Sequence, residues 1–186
     1  MLLVASHRMT AQDDAAFVAE IRYENVSACA PPSNMGGNRI DDPAGFHESS
    51  AAVLSGIRIA HGRLVDSVTP LFRDMDVDGK LGGIRKGNYH GGSGGDAVVD
   101  VEVGQWVVTG LEVRVGDRVD AIRVTFHGWD PSVGRTERKF VSEWYGGGGG
   151  NSVVSLQLPR ARVTIGIIGP PGPVIDATGT LRAIAH

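Results

Sequence analysis

The chain has a single cysteine, Cys29, so no disulfide can form within it and no cysteine cluster can hold a metal. It also lacks a long hydrophobic run. The apolar start, Met1 to Ala5, gives way at once to His7 and Arg8, too short for a signal-peptide core, and no stretch approaches the length of a bilayer span. Charge of one sign is not in excess: 18 Lys and Arg face 21 Asp and Glu, for a net charge of −3. That balance gives no footing to nucleic acid or to a membrane surface. Aromatic residues make up 6%. The sequon Asn25-Val26-Ser27 has meaning only in a compartment that glycosylates. These absences point to a soluble chain of unassigned compartment, with no membrane insertion and no nucleic-acid partner. At 186 residues and 41% apolar content it is long enough for one domain with a real core.

Glycine is what the chain has in quantity: 27 residues, grouped in clusters between alternating, valine-rich segments. Many short strands joined by tight turns produce that pattern. The clusters also repeat. Asn34 to Asn38, Tyr89 to Asp96 and Tyr145 to Asn151 are glycine-rich loops, and their markers Gly36, Gly91 and Gly146 are spaced by 55 residues each time. A second signature, Gly-x-x-x-Asp, occurs at Gly62 to Asp66, Gly116 to Asp120 and Gly172 to Asp176, with spacings of 54 and 56. Alone that signature means little in a glycine-rich chain. Its constant phase, 26, 25 and 26 residues after the loop marker, marks an internal three-fold repeat.

Within the second repeat the strands read as Ala97 to Val103, Trp106 to Val115, Ala121 to Phe126 and Lys139 to Tyr145. Four strands per repeat give about twelve, in sheets with one covered face around a shared core. The third repeat ends at Leu181 to Ile184, one strand short, so a closing strand is expected from the amino-terminal segment within Phe17 to Val26. A helix over Gln12 to Glu20 is the competing reading.

These residues resemble the jacalin-related lectins from about Gly36 to the end. The run His90-Gly91-Gly92-Ser93-Gly94-Gly95, the strands after it and Gly116 to Phe126 are similar to the middle of those proteins. Gly169 to Gly179 is similar to their carboxy-terminal loop, and a further Gly-x-x-x-Asp loop at Gly62 to Asp66 is a layout some members share. The resemblance implies an all-β fold, the type I β-prism, with three four-stranded sheets in a pseudo-three-fold repeat. Residues 1–30 are then an extension that contributes the closing strand, and residues 31–186 are the prism. It also implies a lectin for mannose- or glucose-type sugars, without cofactor or metal, that associates with copies of itself through sheet faces in many members. Carried over by position, one site joins Gly62, Arg63, Leu64 and Asp66 to Gly91 and Gly92. A second joins Gly116, Asp117, Arg118 and Asp120 to Gly146 and Gly147. The third joins Gly172, Pro173, Val174 and Asp176 to Gly36 and Gly37. Pro173 has no N–H to donate, which ranks the third site last.

The chemistry suits a saccharide. An ionised aspartate accepts two vicinal hydroxyl protons at once, main-chain N–H groups donate to the ring and exocyclic oxygens, and glycine lets the opposite backbone approach. An aspartate after a tight turn also serves to fix its own loop, so a structural or targeting module that acts through protein contacts is the alternative function. An enzyme is not expected: no Gly-x-Ser-x-Gly elbow is present, the six histidines are scattered, and the glycine loops lack a P-loop ending. Asp74-Met75-Asp76-Val77-Asp78-Gly79 copies the start of a calcium loop, but Arg85 stands where the bidentate glutamate belongs, so a charged hairpin tip is expected. Trp144 reads as a core residue on a strand, and Trp129 as the better candidate for an exposed aromatic.

Overall fold

A computed structural model of the chain describes residues 51–158 apart from 117, together with the backbone of four outlying strands. The elements are β1 (Arg22–Glu24), β2 (Ile40–Pro43), β3 (Ala51–His61), β4 (Val65–Met75), β5 (Leu81–Lys86), β6 (His90–Gly91) and β7 (Ala97–Glu102). They continue with β8 (Trp106–Val115), β9 (Val119–Asp130), β10 (Gly134–Val141), β11 (Tyr145–Gly146), β12 (Ser152–Gln157), β13 (Arg162–Gly169) and β14 (Gly179–Ile184). All pairings are antiparallel. One sheet runs β5-β4-β3-β7 with β6 added to β4; another runs β10-β9-β8-β12 with β11 added to β9; another runs β1-β14-β13-β2. The architecture is all-β, built of curled antiparallel sheets, and is consistent with the expected β-prism. The two short added strands depart from a plain four-strand count. The competing helix over Gln12 to Glu20 lies outside the described residues.

The strands read from the second repeat appear as β7, β8, β9 and β10 with β11. β9 is longer than its alternation suggested, because Val124 to Trp129 is buried at every position. The interior strands are covered on both faces there, as also at Val68–Phe72, and a strand buried on both faces reads as a continuous apolar run. One core joins the sheets: Leu54, Ile57, Ile59 and Phe72 pack with Val107, Leu111, Ile122 and Phe126, all nearly free of solvent exposure. β13 lies against β3, β4 and β8.

The central hairpins share a defect at the same phase. The register slips between Leu54 and Gly56 in β3, between Val108 and Gly110 in β8, and between Thr164 and Gly166 in β13. Such a bulge bends a sheet. Its glycine has a local reason in two of the hairpins. A β-carbon on Gly56 would come within 2.7 Å of Glu102, and one on Gly110 within 2.6 Å of Gln157, on the neighbouring edge strands.

A second shared feature is the break between β5 and β6 and between β10 and β11. Pro70 has no N–H, so its ladder position is half empty, and its carbonyl is taken by Gly87 N–H at 2.8 Å. At the matching place Val124 uses both groups on Ser142: its N–H donates to Ser142 Oγ and its carbonyl accepts Ser142 N–H, each at 2.9 Å. The outer strand is thereby released to turn into the glycine loop.

The far ends of the hairpins are tied across sheets. Asp76 Oδ1 accepts the N–H groups of Asp78 at 3.0 Å and Lys80 at 2.8 Å, which makes Asp74 to Gly79 a hairpin tip. The Gly79 carbonyl then accepts the Trp129 indole N–H at 2.7 Å. Trp129 is therefore buried, not an exposed aromatic: its apolar ring joins the core while its one polar atom has a partner. Trp144 is likewise corrected. It lies off the strands, half-buried, between the guanidinium groups of Arg114 and Arg123 at 4.6 and 4.8 Å.

Candidate functional site

The first Gly-x-x-x-Asp loop connects β3 to β4. Gly62 N–H donates to the Leu64 carbonyl at 3.0 Å, which curls the loop, and buried Val65 returns the chain to the core. Asp66 follows, half-buried at the top of β4. Beside it the chain from β6 crosses: Gly91 pairs with Ser67, and Gly92 N–H donates to the Asp66 carbonyl at 2.9 Å. Gly91 has φ of +121°, and a β-carbon there would collide with the Asp66 carbonyl oxygen and lie 2.8 Å from Ser67 Cα. No other residue type fits. The carboxylate itself faces Gly94, where a β-carbon would strike Asp66 Oδ1.

The second loop, between β8 and β9, repeats this geometry. Gly116 N–H donates to the Arg118 carbonyl at 3.0 Å, and Gly147 N–H donates to the Asp120 carbonyl at 2.9 Å. Gly146 pairs with Ala121 with φ of +130°, and a β-carbon on Gly149 would strike Asp120 Oδ1. Thus Asp66 meets Gly91 and Gly92, and Asp120 meets Gly146 and Gly147. Among the described residues, neither carboxylate accepts a hydrogen bond from a side chain or from the main chain.

The other sequence-derived residues fall as follows. Arg63 and Arg118 are exposed and Leu64 is half-buried. Asp117, Gly36, Gly37, Gly172, Pro173, Val174 and Asp176 lie outside the described residues. Around the third loop, Ile168 pairs with Gly179 and Gly169 with Ile40.

The structure adds residues that the sequence reading passed over. A β-carbon on Gly94 or Gly149 would strike the Asp66 or Asp120 carboxylate, and their spacing of 55 residues was visible in the repeat. Tyr89 is 57% exposed beside the first loop, its hydroxyl donating to the Gly92 carbonyl. It puts an exposed aromatic ring on the glycine loop that crosses Asp66, where the sequence had pointed to Trp129 as the exposed aromatic. Asp96 also lines the first loop, with Oδ2 2.7 Å from where a Gly62 β-carbon would stand.

The two clusters adjoin. The His61 ring lies 5.7 Å from that of Tyr145, and a β-carbon on Gly147 would collide with the Arg63 carbonyl oxygen. Arg114 Nη1 donates to the Gly147 carbonyl at 3.3 Å while its guanidinium covers Trp144. Each cluster therefore presents a carboxylate without a hydrogen-bond partner among the described residues, set beside a bare main-chain wall. No group of three or more metal-ligating side chains occurs among the described residues, and no helix there is long and apolar enough to cross a membrane.

No protein-family model matches the chain, and no curated protein matches it in sequence. Solved structures do match in fold. Artocarpin complexed with methyl-α-mannose superposes with a TM-score of 0.57 at 16% identity, over 80% of this chain and 91% of artocarpin. Malaysian banana lectin gives 0.52 at 17% identity, over 81% of this chain and 100% of the lectin. A galactose-specific lectin from Artocarpus hirsuta, in complex with methyl-α-D-galactose, gives 0.53 at 14% identity, over 80% and 100%. The structural neighbours are jacalin-related lectins, and the fold is theirs.

Proposed function

We propose that this chain is a carbohydrate-binding lectin, not an enzyme, and that it grips mannose- or glucose-type sugars at the Asp66 and Asp120 clusters. The observation that carries this reading is the pair of carboxylates without a hydrogen-bond partner among the described residues, each set against a glycine loop. An aspartate without partners at a half-buried junction has lost hydration and gained nothing, unless a ligand supplies the donors. Vicinal sugar hydroxyls do that, and charge-assisted bonds to them are worth on the order of 1.5–3 kcal/mol each before the ligand's own desolvation. The fold neighbours include one complexed with methyl-α-mannose and one with methyl-α-D-galactose, so the panel that tests specificity contains both.

The same reading takes the chain as a pseudo-three-fold prism over residues 31–186, closed by a strand from residues 1–30, with Asp176 and Gly36–Gly37 as a third, weaker site. The antiparallel pairing of β1 with β14 and the bulge shared by β3, β8 and β13 support it. The test is calorimetric titration of the wild type and Asp66→Ala with a monosaccharide panel. A lectin binds one class of sugar, and the variant loses part of the binding with its circular dichroism intact. A wild type that binds no glycan leaves the module acting through protein contacts. Hydrolysis of a glycoside would turn the reading to an enzyme.

A further inference from the structure

The two clusters touch through one peptide. Arg63 belongs to the loop of the Asp66 cluster, and Gly147 to the loop of the Asp120 cluster. A β-carbon on Gly147 would collide with the Arg63 carbonyl oxygen and lie 2.9 Å from its carbon and 3.1 Å from its Cα. The Arg63 carbonyl is part of the same planar unit as the Leu64 N–H, so one cannot turn without the other. That N–H is a donor the lectin reading assigns to the sugar at Asp66. The bareness of Gly147 therefore serves two sites: it opens the wall beside Asp120, and it leaves room for the peptide that arms Asp66. A second contact runs in parallel, from the Tyr145 ring to the His61 ring at 5.7 Å, at the start of the Asp66 loop.

We propose that the Asp66 and Asp120 sites are coupled through the Arg63–Leu64 peptide, so that a change at the Tyr145–Gly147 wall alters saccharide affinity at Asp66, and the reverse. The inference rests on the lectin reading and adds to it that the sites are not independent. Linkage makes the effect reciprocal, and couplings of this kind begin at about fivefold in affinity.

The experiment isolates the Asp66 site with Asp120→Asn and titrates it with methyl-α-mannoside, or with methyl-α-galactoside if that is the sugar the wild type takes. Into this background go Gly147→Ala, Gly148→Ala and Tyr145→Leu. Gly148 has open space where a β-carbon would stand and is the control. Gly147→Ala should weaken sugar binding at Asp66 about fivefold or more and shift the Leu64 amide resonance in sugar-free protein. Gly148→Ala should do neither. Tyr145→Leu removes the ring contact without adding a clash; it should weaken binding in the same direction and stands in if Gly147→Ala fails to fold. If both variants are folded and bind as tightly as Asp120→Asn alone, the coupling is wrong while the lectin stands. If Asp120→Asn binds no sugar although the wild type does, the Asp66 site and the coupling fall together. A wild type that binds neither sugar removes the lectin reading itself.

Discussion

Acidic side chains along the sheets are paired with cations: Asp100 with Arg58 at 2.5 and 2.7 Å, Glu102 with Arg73, Glu112 with Arg123, Asp74 with Arg85. Its hydrogen bonds to Arg58 hold the Asp100 carboxyl below the ordinary carboxylate value. Asp66 and Asp120 have no such partner among the described residues, and this contrast makes them the informative residues to change. Asp66→Asn keeps size and shape, so we expect stability to stay within about 0.5 kcal/mol. Sugar affinity at that junction should fall about tenfold or more, since two charge-assisted bonds become neutral ones. Calorimetry alongside a thermal melt separates the two effects. His127 tests the core in another way. It is buried, and Thr109 Oγ1 lies 2.7 Å from its Nδ1 while Arg135 Nη2 lies 3.1 Å from its Nε2. A guanidinium can only donate, so Nε2 accepts, and the ring is neutral with its proton on Nδ1. Burial first, then the charges of Arg135 and Lys139, lower its pKa to about 4 from 6.5. The unfolded chain takes up that proton below pH 6.5 while the folded one resists until about pH 4. Stability from this group is full above pH 6.5 and is lost as pH falls to about 4. Denaturant midpoints measured across that range should decline in the wild type, and the decline should be shallower in His127→Gln.

Among the elements, the loops at one end of the hairpins carry the candidate chemistry, and the tips at the other end hold the sheets together. The Asp74 to Gly79 tip was readable as a turn because Arg85 sits where a calcium ligand belongs. In the structure Arg85 instead bonds Asp74 at 3.4 Å, and Asp76 Oδ1 is occupied by two main-chain N–H groups. Added calcium should therefore leave the melting temperature unchanged. Trp129→Phe removes the bond that ties this tip to β9 and leaves the Gly79 carbonyl without its donor, a loss of about 1–2 kcal/mol by chemical denaturation. That bond was not legible in the sequence, because the two partners lie 50 residues apart and no period links them. The strands themselves were legible, since alternation and glycine spacing are local or strictly periodic signals. The limits of β9 were not: burial on both faces erases the alternation that marks a strand. Trp144 was misread for a related reason. Its apolar ring suggested core, but two arginines stack on it and keep it at the surface. The phase showed that the glycine loops and the Gly-x-x-x-Asp loops recur together, and their pairing came from the family resemblance, whereas Gly94 and Gly149, whose β-carbons would strike the carboxylates, needed coordinates to single them out from their neighbours.

For the whole molecule, the contacts of Tyr145 and Gly147 with His61 and Arg63 place both described junctions at one end of the prism. On the proposed lectin reading, two weak sites on one rigid end would meet a dense glycan surface together, and the second contact would then form at an effective concentration set by the scaffold instead of by bulk protein. Avidity of this kind exceeds single-site affinity by about 10²–10⁴ where the geometry allows both contacts at once. It appears in the dissociation rate, because either contact can break and reform before the protein escapes. On a surface dense in the preferred sugar, the wild type should dissociate far more slowly than Asp66→Asn or Asp120→Asn. The two single variants should resemble each other, and the double variant should scarcely bind. On a sparse surface, where neighbouring sugars lie too far apart to be held together, the wild type should lose its advantage and dissociate like the single variants. Surface plasmon resonance at graded sugar density reads both arms. A wild-type off-rate independent of density would mean that the two junctions never act on one surface together, whatever their affinities in solution.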